Sequence, residues 1–258
     1  MLDVEPDLLA AELARLGERA ARPVIVLGET GSTNDDAKAA AAAGGPAGMV
    51  FLADAQSRGR GRGGHAWHSP AGQNVYLSLL ARPKLDAPRV ACASLAVGVA
   101  VARAAAALGV AAARIKWPND VLVADKKLAG VLVEGQLRGA RVESLVVGVG
   151  LNVLATSFPG DLAARATSLA MLGGATNRAA VAARLVVEIE AALAAFERGG
   201  LAPFAAELAD RDALLGRRVR AAGIEGEARG IDAAGRLLVR AEGGALREVA
   251  SGSVELLA

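Results

Sequence analysis

Residues 116–152 read KWPNDVLVADKKLAGVLVEGQLRGARVESLVVGVGLN. Three runs of β-forming residues lie in this stretch: Val121–Val123, Leu128–Leu137 and Val142–Val149. Residues with turn chemistry separate the runs at 125–127 and 138–139, so the stretch predicts consecutive strands joined by hairpins. A strand-rich middle with helical patterns on both sides is typical of an α/β (α+β) domain.

Helical and β patterns alternate outside this middle stretch. Helical spacing is found at Leu8–Leu16, Ala37–Ala43, Pro88–Leu108, Ala179–Phe196 and Pro203–Leu215, and β runs are found at Val24–Leu27, Met49–Ala53 and Asn74–Leu80. Ser32, followed by Asp35 and Asp36, predicts the N-cap and acidic first turn of the second helix.

The pattern changes after Gly216. Short β runs follow at Arg217–Ala221, Glu227–Ile231 and Leu237–Arg240, separated by turn residues. Short strands with frequent turns predict a small β-barrel at the end of the chain. We therefore expect two domains, 1–213 and 214–258.

The composition excludes several classes of protein. With 258 residues, of which 53% are hydrophobic and 22% charged, the chain can bury a core and is not globally disordered. A net charge of +2 gives no argument for a polyanionic partner of the whole chain. The single cysteine, Cys92, excludes an intramolecular disulfide and a cysteine zinc cage and favours the reducing cytoplasm.

No targeting or membrane-spanning segment is predicted. The acidic start, with Asp3, Glu5 and Asp7, lacks the basic residues and apolar core of a signal peptide. The longest apolar stretch, Ala91–Ala113, is rich in alanine and carries Arg103, which costs about 2.5–3.5 kcal/mol at the centre of a bilayer. We expect this stretch to form a core helix.

Residues Gln56–Ser69 are dense in glycine and arginine and have no apolar period, which predicts a loop. In 58–64, glycines that free the backbone alternate with guanidinium groups that suit phosphate oxygens. An anion-binding loop, a solvated flexible loop and an RGG-like nucleic-acid segment all fit this pattern. We expect the loop to be mobile without ligand and to become ordered over a bound anion.

The 116–130 segment carries three of the five lysines of the chain, Lys116, Lys126 and Lys127, although arginine dominates elsewhere. The use of lysine here indicates that a compact ammonium group is needed at this place. The alternative is a hairpin turn whose lysines are simply solvated. Asp120 directly precedes a β run, where it could hold Mg²⁺ or a ribose hydroxyl or form a turn. His65 and His68 have no third ligand nearby in sequence, so a zinc site is not expected.

Five motifs in order resemble the biotin protein ligases. They are Gly31-Ser32-Thr33-Asn34, Gln56-Ser57-Arg58-Gly59-Arg60-Gly61-Arg62 with Trp67, Lys116-Trp117-Pro118-Asn119-Asp120, Lys127-Leu128-Ala129-Gly130 and Gly148-Val149-Gly150-Leu151-Asn152. Each motif is modest alone, but the ordered set is specific. The resemblance implies a catalytic domain like those of class II aminoacyl-tRNA synthetases at 1–213 and an SH3-like C-terminal domain at 214–258.

The resemblance also implies an ATP-dependent biotin–protein ligase. Such an enzyme converts biotin and ATP, with Mg²⁺, to biotinyl-5′-AMP and pyrophosphate, and then transfers biotin to a lysine of a biotin carboxyl carrier protein of acetyl-CoA carboxylase or a related carboxylase. Positioning and charge neutralisation suit this chemistry better than a protein nucleophile, since two anions must meet. No tightly bound prosthetic group is expected.

By matching positions, the resemblance assigns roles to individual residues. Biotin would be bound by Ser32, Thr33, Asn34, Gln56, Arg60, Gly61, Arg62, Lys127, Gly130 and Gly148. ATP and the adenylate would be bound by Gly59, Arg60, Arg62, Trp67, Asn119, Asp120, Lys127 and Asn152. Arg60, Arg62, Asp120 and Lys127 would be catalytic, with Asp120 on Mg²⁺ or ribose.

Two departures from the family pattern affect these expectations. The family loop often ends with a further arginine where this chain has Gly64-His65, which puts one phosphate or adenine contact, and retention of the adenylate, in question. Only about twenty-three residues precede the first β run, too few for the N-terminal DNA-binding domain of repressor-type members. We therefore expect a short form that binds neither DNA nor membrane, and the sequence leaves a homodimer open.

Two alternative functions remain at this point. A lipoate or octanoate ligase or transferase of the same superfamily would share the fold and the carrier lysine. The loop Gln56–Ser69, the Arg/Gly loop, favours biotin over these acids. A non-enzymatic nucleic-acid-binding module would use the same loop, with a steep salt dependence of binding and no ATP chemistry.

Overall fold

The computed structural model describes residues 4–18 and 22–257, and its centre is a seven-stranded mixed sheet. The strands are β1 (Val24–Thr30), β2 (Val50–Gln56), β3 (Asn74–Ala81), β4 (Arg114–Lys116), β5 (Asp120–Val123), β6 (Lys126–Arg138) and β7 (Arg141–Asn152), in the order β1-β2-β3-β7-β6-β5-β4. β1 and β2 are parallel and every other neighbouring pair is antiparallel. The predicted hairpins of the middle stretch therefore run from the central strand β7 through β6 and β5 toward one edge of the sheet.

Helices cover both faces of this sheet. The six helices of the described residues are α1 (Pro6–Arg15), α2 (Thr33–Ala42), α3 (Val90–Ala107), α4 (Leu162–Arg165), α5 (Arg178–Gly199) and α6 (Ala205–Arg211). The main core lies where α1, α3 and α5 pack together and against the sheet. A smaller cluster, including Ala37, Phe51 and Val146, joins α2 to the opposite face, where part of the sheet remains uncovered.

The C-terminal segment forms a second, five-stranded sheet. Its strands are β8 (Arg218–Ala221), β9 (Ile224–Ile231), β10 (Leu237–Ala241), β11 (Leu246–Val249) and β12 (Val254–Leu256), in the order β11-β10-β9-β8-β12. Between residues 214 and 257 no pairing joins the outer strands β11 and β12, so the sheet is open and not a closed barrel. The predicted boundary at 213/214 lies in the connection from α6 to β8 and stays a prediction.

Three local expectations need correction. The turn predicted at 125–127 is formed by Ala124 and Asp125, which both have positive φ, and β6 already begins at Lys126. The segment predicted as one helix at 203–215 is a short 3₁₀ turn followed by α6. Pro203 lies in the 3₁₀ turn, and α6 ends before Asp212, whose backbone is extended. The last two strands, β11 and β12, were not predicted because they are only four and three residues long, too short to show a clear β pattern.

The apolar stretch around α3 is the one described segment, Ala87–Ala107, with the length and hydropathy of a membrane span. Two thirds of it is buried inside the fold, against α5 and β6. Small alanine side chains let the helix approach these neighbours closely. It is a core helix here, as expected.

Candidate active site

A first cavity lies on the sheet face beside α2. It encloses about 430 Å³ of space between the protein atoms, part of it open to solvent. Nine of the ten residues expected to bind biotin line it, namely Ser32, Thr33, Asn34, Gln56, Arg60, Gly61, Lys127, Gly130 and Gly148. Asn119 of the 116–120 motif also lines the cavity, so the structure brings together residues of all five motifs.

The strand register explains why a hollow forms here. Ser78, Gly148 and Leu132 lie side by side on β3, β7 and β6, and Gly150 and Gly130 are neighbours two residues further along. Side chains alternate between the two faces of a strand, so these five residues share one face. Glycines at the centre of that face leave it bare and make room for other groups.

Two of these glycines make room for side chains of the site itself. A Cβ on Gly148 would collide with the amide of Asn34, and a Cβ on Gly150 would collide with the indole of Trp67. The resemblance implies that Gly148 contacts biotin. The closest approach in the structure is instead made by Asn34 and Trp67, which are thereby set deeply against the sheet.

A buried hydrogen-bond network forms the polar end of the first cavity. The Gln56 amide oxygen accepts from the Thr33 backbone N–H at 3.0 Å and lies 3.3 Å from the Thr33 hydroxyl. Ser78 Oγ lies 2.8 Å from Thr33 Oγ1 and 2.6 Å from Asn34 Oδ1. Asn34 Nδ2 donates to Glu134 Oε2 at 2.8 Å. The network holds donors and acceptors in fixed directions, as recognition of a polar ligand requires.

Sequence reasoning missed Ser78 and Glu134. Ser78 is completely buried and Glu134 is half-buried on β6. Each is a polar residue within an otherwise apolar β run, and that interruption is a signal that could have identified them.

The Arg/Gly loop lies closed over this cavity. Arg60 forms a bidentate ion pair with Asp35, at 2.6 and 2.5 Å. Arg62 points the other way and donates to the carbonyl oxygen of Gly252 in the C-terminal sheet, at 2.7 Å. Arg62 is therefore the one expected biotin ligand outside the first cavity, and its expected role stays a prediction. Whether the loop moves without ligand is a separate prediction.

A second, larger cavity adjoins the first. It encloses about 1340 Å³ including open solvent, and its lining includes Lys116, Asp120, Asn152, Phe158 and Arg165. Among the residues lining both cavities are Trp67 and Lys127. Lys127 Nζ lies 2.7 Å from Asp120 Oδ1 and 5.2 Å from the centre of the Trp67 ring. The junction between the cavities thus carries an ammonium and an aromatic face.

Three basic side chains, Lys116, Lys127 and Arg165, line the second cavity together with the carboxylates of Asp120 and Asp125. Lys116 is the cross-strand neighbour of Asp120. Burial lowers the pKa of Lys116, and the carboxylate of Asp120 partly opposes this change. Basic groups facing a cavity that meets the Lys127 ammonium favour a ligand with several negative charges.

The amide groups expected to bind ATP are mainly engaged with the backbone. Asn119 Nδ2 donates to the Val131 carbonyl oxygen at 2.8 Å, and Asn152 Nδ2 donates to that of Thr167 at 2.9 Å. Gly59 lies under Ser69, which is within 3 Å of the position a Cβ would take. Asn119 lines the first cavity and Asn152 the second, whereas Gly59 lines neither of the two. Direct contact of these three residues with ATP stays a prediction.

Asp120 could supply a single carboxylate to a magnesium ion. Residues 4–18 and 22–257 contain no group of three or more histidine, cysteine, aspartate or glutamate side chains that could hold a metal. Asp120 offers one carboxylate, which is already paired with Lys127. One carboxylate fits a Mg²⁺ ion that is held mainly by the phosphates of a nucleotide and its water shell.

Comparison with known proteins agrees with this geometry. Residues 32–152 match the model of the biotin/lipoate A/B protein ligase family, and residues 214–257 match the biotin protein ligase C-terminal domain. The biotin–[acetyl-CoA-carboxylase] ligase of Mycobacterium tuberculosis is 39% identical over 245 residues, covering 90% of this chain and 88% of that protein. The chain belongs to the biotin protein ligase family.

Two further relatives show how similar this biotin protein ligase is to other members of its family. The ligase of Aquifex aeolicus, solved in complex with biotin and ATP, superposes with a TM-score of 0.77 at 29% identity, covering 91% of this chain and 98% of that one. The bifunctional ligase/repressor BirA of Escherichia coli is 35% identical over 201 residues, covering 76% of this chain. The chain spans 63% of the length of that E. coli protein. The predicted family and fold class are confirmed.

Proposed function

We propose that this biotin protein ligase activates biotin with ATP and transfers it to a lysine of a biotin carboxyl carrier protein of acetyl-CoA carboxylase or a related carboxylase. One observation carries the proposal: the two cavities meet at Lys127 and Trp67. Joining a carboxylate to the α-phosphate of ATP requires two anions to meet at one point. An ammonium at that junction lowers their mutual repulsion.

The first cavity suits biotin. Its polar end, with Thr33, Asn34 and Gln56, offers the donors and acceptors that a ureido ring needs, and Leu132 and the Trp67 ring provide apolar surface for the aliphatic chain. The carboxylate of biotin would then lie beside Lys127, with Arg60 above it. The second cavity would take ATP, with Asp120 beside the metal that accompanies the nucleotide.

The two chemical steps balance without a covalent enzyme intermediate. A biotin carboxylate oxygen attacks the α-phosphorus of ATP, an anhydride bond forms and pyrophosphate leaves. The ε-amine of the carrier lysine then attacks the acyl carbon, an amide bond forms, and AMP and a proton leave. The role of the chain is to orient the anions, neutralise their charge and exclude water under the closed loop.

Two of the three arginines of the loop are bonded to other parts of the protein, which favours an enzyme over a nucleic-acid-binding module. Arg60 is paired with Asp35 and Arg62 with the Gly252 carbonyl. Contacts with phosphates of a long polyanion need arginines that face outward. Cytoplasmic location, absence of DNA binding and a homodimer all stay predictions.

The proposed function is tested by ATP–pyrophosphate exchange with biotin, lipoate or octanoate as the acid. We expect exchange that depends on biotin, with lipoate and octanoate giving little, because neither offers a ureido group to the polar end of the first cavity. Exchange with lipoate or octanoate alone would assign the chain to the other branch of the superfamily. RNA or DNA binding without any exchange would overturn the enzymatic proposal.

Removing the Ser78 hydroxyl tests the polar end of the cavity. Ser78→Ala takes a shared hydrogen-bond partner from Thr33 and Asn34, a loss of about 1–1.5 kcal/mol. We expect biotin affinity, measured by calorimetry, to fall about tenfold. Ser144→Ala is the matched control, because Ser144 is equally buried but bonds to Gln136 away from the cavity. Equal affinity in both variants would remove Ser78 from the site.

A further inference from the structure

A chain of four charged residues connects the Arg/Gly loop to the sheet. Arg60 pairs with Asp35 through both guanidinium nitrogens, at 2.6 and 2.5 Å. Asp35 also pairs with Lys38 at 2.9 Å, and Lys38 pairs with Glu134 at 2.8 Å. Glu134 in turn accepts from Asn34 of the first cavity, at 2.8 Å. Charges alternate along the chain, so every contact in it is attractive.

Three members of this chain lie outside the cavities. Asp35, Lys38 and Glu134 are absent from the lining of both cavities, whereas Arg60 lines the first. Direct contact with a substrate therefore does not account for them. Instead, Asp35 and Lys38 on α2 and Glu134 on β6 connect the loop to the helix and the strand of the scaffold.

In the 58–64 part of the loop, the side-chain hydrogen bonds are those of Arg60 with Asp35 and of Arg62 with Gly252. Within it, Gly61 donates to the His65 carbonyl at 2.7 Å and Trp67 donates to that of Gly59 at 2.9 Å, which shape the loop but do not fasten it to α2. The ion pair of Arg60 with Asp35 supplies that link. A loop with this much glycine loses considerable backbone entropy on closing, so its closed state needs such contacts.

We propose that Asp35 is a positioning residue that holds Arg60, and with it the Arg/Gly loop, closed over the first cavity and so prolongs retention of the acyl-adenylate. The proposal rests on the proposed function, in which that loop covers the adenylate. Asp35 lies in the first turn of α2, where the helix dipole favours a carboxylate. Its neighbour Asp36 accepts from Thr30 at 2.8 Å and makes no contact with the loop.

The charge state of Asp35 supports this role. The guanidinium of Arg60 and then the ammonium of Lys38 hold the pKa of the Asp35 carboxyl well below its usual range. The carboxylate is therefore ionised at neutral and mildly acidic pH. If Asp35 instead competed with the bound anion for Arg60, removal of its charge would slow the release of the adenylate.

Asp35→Asn separates these roles by two measurements. The first is the rate of release of biotinyl-5′-AMP from the preformed complex, followed by rapid filtration. The second is the rate of tryptic cleavage after Arg60 in the ligand-free protein. We expect both rates to rise about three- to tenfold, the effect of a partly exposed bidentate pair within a network.

Asp36→Asn is the matched control, with the same change of charge one residue along, and both its rates should equal those of the wild type. Asp35→Glu should restore slow release and slow cleavage in part, which loss of folding would not explain. Rates equal to the wild type in Asp35→Asn, or slower release, would overturn the proposal. Failure of the wild type to form the adenylate would instead count against the proposed function, and cleavage after Arg60 would still decide the role of Asp35 in closing the loop.

Discussion

Lys127→Ala is expected to slow biotin-dependent ATP–pyrophosphate exchange about a hundred- to thousandfold, the effect of removing one preorganised group from a site of developing charge. Lys127 lies where the two cavities meet, with its ammonium 2.7 Å from Asp120 and over the Trp67 ring. In the proposed reaction it would face the carboxylate of biotin and the α-phosphate of ATP together. The measurement is initial exchange rate at saturating biotin and ATP.

Lys126→Ala is the control for this prediction. Lys126 is the preceding residue of β6, is exposed and lies outside the lining of both cavities. Its replacement should leave exchange within about twofold, as is usual for a surface substitution. Normal exchange by Lys127→Ala, with an unchanged thermal unfolding midpoint, would make Lys127 a solvated lysine of a hairpin.

Gly148→Ala is expected to lower biotin affinity about ten- to hundredfold, the equivalent of about 1.4–2.8 kcal/mol of overpacking. The new methyl group would collide with the Asn34 amide, which Ser78 and Glu134 hold in place at 2.6 and 2.8 Å. Asn34 cannot move aside without losing one of these bonds. Calorimetric titration with biotin measures the effect.

Gly28→Ala is the matched control for the glycine prediction. Gly28 is also a strand glycine, on β1, but a Cβ there meets nothing within 4 Å. That variant should bind biotin as the wild type does. If Gly148→Ala bound biotin equally well, the deep position of Asn34 would not matter for the ligand.

The sequence predicted which residues line the site more completely than it predicted the contacts between them. Motifs such as 31–34 and 127–130 are continuous in sequence, so the resemblance to the family could assign them to the site. The contact of Ser78 with Asn34 depends on β3 lying beside β7, an order that periodicity does not determine. For the same reason, the Asp35 and Arg60 pair could not be foreseen, since it joins a helix to a loop whose path has no apolar pattern.

The C-terminal sheet illustrates a second limit. Its first three strands were predicted from short β runs, whereas β11 and β12 are too short to be identified from sequence and are held by pairing with β10 and β8. The contacts of this sheet with the catalytic part are also long-range. Arg62 reaches Gly252, and Arg217 reaches Asp125 at 2.6 Å. Neither partner can be inferred from neighbours in the sequence.

Mass spectrometry of the purified protein under non-denaturing conditions, with biotin and Mg·ATP, tests the central claim most directly. We predict a non-covalent complex of the protein with biotinyl-5′-AMP that forms only when both biotin and ATP are present and that is lost when a biotin carboxyl carrier protein is added. A protein that carries no biotinyl-5′-AMP under these conditions, or that accumulates only a lipoyl or octanoyl adenylate when those acids compete, would contradict the account.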